Sequence, residues 1–311
     1  MNILFMGTPA FAIPSLKALV ENGYNVVGAV TQPDKPKGRG RKYIAPPVKT
    51  CALELGIPVY QPDRVRDEDF LDIFRKISPD MVALVAFGQI LPKELIDFPE
   101  FGCLNVHPSL LPKYRGAAPI NWPIINGDRK TGVTIMLMDE GVDSGEILLQ
   151  EKIDIDIDDT FDDLHDKLST LGAGLLIKAV GDVIDGTLAG TLQDASLATF
   201  APRLTRETGH INWDDESEKI VNLIRGLSSH PGAYSFLEDK KLKIFYAVSG
   251  KEKSSGGKEP GEIGRLMEAG LQIATRNGHV YLKDVQLEGK KRMFIEDFLR
   301  GHHLLPSNTL E

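Results

Sequence analysis

Cysteine is scarce. Cys51 and Cys103 are the only two in 311 residues, one in an expected helix and one in an expected strand. They share no ligand-like spacing with each other or with a histidine, so two reduced, packed thiols are expected rather than a metal site. No apolar run approaches the roughly 20 residues of a membrane-spanning helix. The opening Met1-Asn2-Ile3-Leu4-Phe5 has neither the basic start nor the cleavage site of a secretory signal, so a cytoplasmic protein with no membrane partner is expected. Internal repeats are missing. So is the G-x-G-x-x-G fingerprint, because Gly7-Thr8-Pro9-Ala10-Phe11 supplies one glycine where three are needed; this argues against a nicotinamide dehydrogenase.

What is present fits an ordinary globular chain. Hydrophobic residues make up 42% and charged residues 26%, and the length favours two domains. The net charge of -8 is unevenly spread. Before Arg203 there are 19 basic and 28 acidic residues, or -9; from Arg203 onward 17 and 16, or +1. A near-neutral second half matters only if it carries a basic face.

Residues 1–187 alternate short β-rich runs with helical patterns. Strands are expected over 2–6, 26–30, 81–86, 103–106, 133–138 and 147–150, and helices over 11–21, where Pro14 is tolerable only in the first turn, and from Pro46-Pro47 through Leu55, with Gly56 as the stop. The nearly continuous apolar run 81–86 reads as a doubly covered parallel strand. Thr160 and Asp163 resemble a capping box ahead of a long helix with Leu164, Leu168, Leu171 and Leu175 on one face. The expectation is a Rossmann-like α/β domain with a parallel sheet. Residues 188–206 lose regular period and read as a linker. Beyond them, Asp214 or Asp215 is expected to cap a helix carrying Ile220, Val221, Leu223, Ile224 and Leu227. Strand-like segments follow, with Ser254-Ser255-Gly256-Gly257 as a flexible loop and Asn277-Gly278 as a hairpin signal. Residues 207–311 are expected to form a small barrel of the oligonucleotide-binding type.

Three segments carry chemistry. In Asn105-Val106-His107-Pro108-Ser109-Leu110-Leu111-Pro112, the strand period of two puts Asn105 and His107 on one face, at the strand end where open parallel sheets place their ligand crevice. A core histidine beside a strand-end asparagine is the alternative. In Asp139-Glu140-Gly141-Val142-Asp143-Ser144-Gly145, the Asp143 carboxylate is placed to orient an imidazole and favour its protonated form. A calcium loop or plain acidic turn competes, but the spacing is not that of an EF-hand. The stretch 32–42 holds Lys35, Lys37, Arg39, Arg41 and Lys42 against one acid, Asp34. It reads as a phosphate-contacting basic loop or as a solvated one.

Together these segments closely resemble the methionyl-tRNA formyltransferase family, within the folate-dependent formyltransferases, along nearly the whole chain. Met6-Gly7-Thr8-Pro9 with Phe11-Ala12 resembles the family's opening strand and turn, and Thr31-Gln32-Pro33-Asp34 introduces its basic loop. After the linker, Ile224-Arg225-Gly226-Leu227, Pro231-Gly232-Ala233-Tyr234 and Glu288-Gly289-Lys290-Lys291-Arg292-Met293 resemble its second domain, while Ser228-Ser229-His230 departs from its pattern. The resemblance implies a catalytic trio of Asn105, His107 and Asp143. It also implies folate contacts from Phe87, Gly88, Gln89 and Ile90 and from Ser109, Leu110, Leu111 and Pro112, and tRNA contacts from Lys35, Lys37, Arg39, Arg41 and Lys42. The activity implied is formyl transfer from 10-formyltetrahydrofolate to the α-amino group of methionine on initiator tRNA, by a monomer without a metal. A formyltransferase acting on a small amine, such as glycinamide ribonucleotide or an amino sugar, and a non-catalytic tRNA-binding protein are the rivals.

Overall fold

The computed structural model describes residues 1–37, 42–250, 259–302, 304 and 308–311, without the side chains of residues 37 and 42. Two units emerge. One comprises Met1–Pro119, Thr131–Ile153 and His165–Ala201, the other Ile120–Lys130, Asp154–Leu164 and Pro202–Glu311. The second therefore draws two short pieces from the chain before Pro202.

The first unit is built on a seven-stranded sheet in the order Ile147–Asp154, Lys130–Leu137, Cys103–His107, Met81–Val85, Asn2–Gly7, Asn25–Val30, Val59–Tyr60. The last five run parallel, as an α/β sheet with continuous apolar strands should. Met81–Val85 is buried throughout, because helices leave it no solvent face. The sequence predicts a parallel sheet, which these five strands form, and the structure differs beyond them: Lys130–Leu137 lies antiparallel to Cys103–His107. A parallel partner needs a crossover back over the sheet. The only helix in the intervening chain, Asn121–Ile125, belongs to the second unit, where the Asn121 amide donates to the Gly226 carbonyl at 2.8 Å.

Local chemistry explains the elements. Pro14 occupies the first turn of the helix Ile13–Glu21, where its missing N–H costs nothing. Gly56 adopts φ +70 after the helix Pro47–Glu54, the left-handed stop that glycine provides. Thr160 and Asp163 form the expected reciprocal cap, the Thr160 amide donating to Asp163 Oδ2 at 2.9 Å and the Asp163 amide to Thr160 Oγ1 at 3.4 Å. The helix Phe161–Ile184 carries Gly172, where a Cβ would come within 2.8 Å of Val106 Cγ1. Val106 thus faces this helix, and Asn105 and His107 face the other way. Leu4, Met6, Phe70, Phe74, Leu84 and Leu95 build the core on one side of the sheet.

The second unit holds an antiparallel sheet in the order Ala233–Leu237, Lys240–Gly250, His279–Leu287, Gly270–Ala274, Ile263–Met267, with Met293–Phe294 also paired to His279–Leu287. The turn at Asn277-Gly278 joins Gly270–Ala274 to His279–Leu287 as its sequence signals, Thr275 N–H reaching the Gly278 carbonyl at 3.0 Å. The helix Ser217–Leu227 packs Ile220, Ile224 and Leu227 into the core with Trp213, Ile244, Leu282 and Phe298. Its start corrects the expected cap. Neither Asp214 nor Asp215 caps it, and Asn277 Oδ1 instead accepts from the Ser217 amide at 2.9 Å. Both aspartates are engaged elsewhere, with Arg276 and Lys219. Residues 254–257 lie outside the described residues.

The stretch 188–206 holds a short turn at Ala195–Leu197 and a strand, Phe200–Ala201, paired with Arg115–Gly116. Its residues through Ala201 belong to the first unit. Among the described residues no helix is long and apolar enough to cross a membrane.

Candidate active site

Asn105 and His107 sit on the strand Cys103–His107, opposite Met136 and Thr134 of the neighbouring strand. Both are buried, 6% and 4% exposed. The chain then leaves the sheet through a turn whose polar atoms are internally satisfied. Ser109 Oγ donates to the Lys113 carbonyl at 2.7 Å, while Thr134 Oγ1 donates to the Ser109 carbonyl and accepts from the Leu111 amide at 3.1 Å. Gln150 Nε2 adds bonds to the Leu111 carbonyl at 2.8 Å and to Thr134 at 2.9 Å. The segment Ser109 to Pro112 is thus a rigid shelf at the end of the strand that carries His107.

The shelf leads to Tyr114, at φ +62, whose carbonyl lies 3.0 Å from His107 Nε2. Asp143 approaches from the loop after Lys130–Leu137. Asp139 shapes that loop, accepting from the Gly141 amide at 3.0 Å and the Ser144 hydroxyl at 2.9 Å. Asp143 Oδ2 accepts the Gly116 amide at 2.7 Å and lies 3.7 Å from His107 Nδ1. An imidazole and a carboxylate therefore meet, as the sequence predicts.

The electrostatic balance at His107 differs from expectation. Burial pushes its pKa below the usual histidine value, while the Asp143 charge and the Tyr114 carbonyl pull the other way. Desolvation wins because the ring is enclosed by protein and one carboxylate at 3.7 Å does not replace the lost water. That direction favours the neutral imidazole at rest. With Nε2 facing a carbonyl, that nitrogen keeps the proton and Nδ1, facing Asp143, is free to accept one.

The other predicted residues are placed as follows. Phe87 is buried in the core, and its carbonyl accepts from Thr8 Oγ1 at 2.8 Å and Gln32 Nε2 at 3.4 Å. These bonds tie together the C-terminal ends of Asn2–Gly7 and Met81–Val85, where strand order reverses and open α/β sheets bind ligands. Gly88 takes φ +87. Gln89 turns its amide to the 62–65 segment, accepting from the Val65 amide at 2.9 Å, and Ile90 is 88% exposed. Lys35 and Lys37 lie in a short strand paired with Lys42–Ile44; Arg39 and Arg41 lie outside the described residues. The base of this hairpin is anchored by Asp34, which Lys49 and Gln61 each contact at 2.8 Å and whose carboxyl Lys49, then Gln61, hold below its usual range.

Sequence reasoning missed Thr134, Gln150 and Thr199, whose hydroxyl accepts from the Tyr114 amide at 2.9 Å, and also Gln193. Gln193 Nε2 donates to the carbonyls of Asp143 and Gly145, from a stretch read as a linker. Among the described residues no cluster of three or more His, Cys, Asp or Glu side chains could hold a metal ion.

Comparison with known proteins shows which family the chain resembles. The family model for formyl transferase matches residues 1–180, and that for the formyl transferase C-terminal domain matches residues 203–303. Among curated proteins, the chain is 55% identical over 310 residues to a methionyl-tRNA formyltransferase of Syntrophus aciditrophicus, covering 100% of this chain and 99% of that one. It is 47% identical over 310 residues to another of Citrifermentans bemidjiense, covering 100% and 96%. Among solved structures, an N-formyltransferase from Helicobacter canadensis in complex with folinic acid and dTDP-3-aminofucose superposes with a TM-score of 0.66 at 20% identity, covering 94% of this chain and 99% of that one.

Proposed function

The chain belongs to the formyl transferase family, and on that premise we propose that it transfers the formyl group of 10-formyltetrahydrofolate to the α-amino group of the methionine carried by initiator tRNA, giving formylmethionyl-tRNA for translation initiation. The full-length identity to curated methionyl-tRNA formyltransferases carries this reading, and the meeting of His107 with Asp143 beside Asn105 supports its chemistry.

The methionine amine is neutral because esterification of its carboxyl lowers its basicity. Its nitrogen attacks the formyl carbon, and the carbonyl oxygen becomes an oxyanion. The Asn105 amide donates to that oxygen, a contribution typically worth about 10² to 10³ in rate. The proton leaving the amine is taken by the Asp143 carboxylate and shared with His107 Nδ1. The imidazole thus becomes cationic as negative charge appears beside it, a general acid–base role worth roughly 10² to 10⁴. Collapse breaks the bond from carbon to N10 of the folate, and N10 receives the proton that the amine gave up, returned from the His107–Asp143 pair, so that tetrahydrofolate leaves and the imidazole is neutral again. The chain's own groups need supply only donors, a base and a shaped crevice.

Folate is held by the 87–90 loop and the 109–112 shelf, each at the C-terminal end of a central strand. The basic stretch with Lys35, Lys37, Arg39, Arg41 and Lys42 contacts the acceptor end of the tRNA, and residues 207–311, as an oligonucleotide-binding type of barrel joined through 188–206 to residues 1–187, track its phosphates. The protein acts in the cytoplasm as a monomer. Incubation with 10-formyltetrahydrofolate and either charged initiator tRNA or small amines tests this: formyl appears on the methionine, whereas formyl only on a glycinamide ribonucleotide or amino sugar would replace the tRNA assignment.

A further inference from the structure

The segment that precedes Pro202 folds back along the Asp143 loop. Thr191 and Ile147 exchange two backbone hydrogen bonds at 2.9 Å, and Phe200–Ala201 pairs with Arg115–Gly116. Between these tethers Gln193 is half-buried while its neighbours Leu192 and Asp194 are exposed. Its amide makes four contacts. Nε2 donates to the Asp143 carbonyl at 2.9 Å and the Gly145 carbonyl at 2.7 Å, and Oε1 accepts from Arg115 Nε at 3.1 Å and Nη2 at 2.7 Å. Only the NH₂ end can face two carbonyls and only the oxygen can face a guanidinium, so the amide has one possible orientation.

The loop does not need Gln193 for its own shape, which Asp139 supplies through Gly141 and Ser144. What Asp139 leaves open is where the loop sits relative to residues 114–116. Asp143 stands at φ +49, a conformation that residues with a side chain keep only where the surroundings hold it. Gln193 joins that loop to Arg115, whose neighbour Gly116 donates to Asp143 Oδ2. We propose that Gln193, backed by Arg115, is a positioning residue: by gripping the carbonyls of Asp143 and Gly145 it holds the Asp143 carboxylate against the Gly116 amide and facing His107. Its kinetic consequence rests on the formyl-transfer reading; its geometric consequence does not.

The test uses full-length Gln193→Ala and Gln193→Glu, each alone and on an Asp143→Asn background. Gln193→Glu keeps a partner for Arg115 but turns a carboxylate oxygen on two carbonyls. Displacing a catalytic group by about 1 Å costs up to about 100-fold in rate, so both variants lower kcat by about 10- to 100-fold, with KM for either substrate within about twofold. On the Asp143→Asn background the same changes cost less than about twofold more, because residues acting as one unit are not additive. In NMR titrations of histidine-labelled protein, His107 takes up its proton at lower pH in Gln193→Ala than in wild type, since the carboxylate has moved away. Unchanged kcat in both variants, the full penalty on the Asp143→Asn background, or an unmoved His107 titration would each overturn the assignment. A wild-type protein inert toward every acceptor would sink the formyl-transfer reading alone, since the imidazole titration still decides the positioning claim.

Discussion

Replacing Asp143 by Asn removes one charge while keeping shape. The Asn oxygen can still accept the Gly116 amide that Asp143 Oδ2 holds at 2.7 Å, so the loop and the adjacent shelf stay in place. What is lost is a negative charge 3.7 Å from His107 Nδ1. At an effective dielectric of about 20, a charge pair near 4 Å is worth about 4 kcal/mol. That attraction exists only once the imidazole is protonated, which happens as the tetrahedral oxyanion forms. It therefore belongs to the transition state rather than the ground state, and about 1.36 kcal/mol per decade converts it to roughly a 10³-fold loss in kcat. Rapid-quench single-turnover formylation of charged initiator tRNA reads the chemical step. Folate binding followed by fluorescence should change by less than about twofold and the unfolding midpoint should hardly move. A single-turnover rate within tenfold of wild type would refute the reasoning.

Stability should respond to pH through the same ring. Because burial depresses the His107 pKa in the folded state, unfolded chains bind a proton that folded ones refuse. Its contribution is fully present above the ordinary histidine value of about 6.5 and is lost as pH falls from there through the folded pKa, by up to about 1.4 kcal/mol per pH unit. Urea unfolding at several pH values should show wild type losing stability against His107→Gln in that window; parallel curves would mean that the ring is not desolvated. In the second unit, Asn277→Ala removes the acceptor for the Ser217 amide and should cost about 1 kcal/mol, read from denaturant midpoints, with no change in kcat. Arg39→Ala should raise KM for tRNA and flatten its dependence on salt, as loss of a phosphate contact does; identical KM, turnover and salt response would remove the basic loop from the interface. Cys103, whose thiol burial pushes up to about 12, should resist alkylation at pH 8 in the folded protein and react on unfolding.

Much of the first unit was legible because its central strands are buried on both faces and its helices carry their own punctuation. Pro14 and Gly56 each mark an element boundary by local chemistry alone, as the Thr160–Asp163 pair does for a piece of the second unit. The antiparallel strand Lys130–Leu137 was not legible, since strand direction depends on where the intervening helix Asn121–Ile125 docks. Asn277 as a helix cap is likewise a contact across 60 residues, invisible to a search for nearby acceptors. The hairpin at Glu238 and Asp239 places both residues at positive φ with neither glycine nor asparagine to announce it.

The site divides in the same way. Strand alternation puts Asn105 and His107 on one face, and the glycine-flanked loop brings Asp143 to the imidazole. The charge state of His107 did not follow from residue types, because it depends on how much water the fold excludes. Gln193 escaped because its segment is irregular and mostly exposed, and one half-buried amide among polar residues leaves no periodic trace.

Single-turnover formyl transfer to charged initiator tRNA by Asn105→Ala, His107→Ala, Asp143→Ala and the triple variant, all at saturating 10-formyltetrahydrofolate, bears most directly on the claim that these side chains form one catalytic centre. Each single variant should fall by at least about 10², and the triple should be only a few-fold slower than the worst single, as for groups that act as a unit. Single variants near wild-type rate, or losses that multiply independently in the triple, would contradict it.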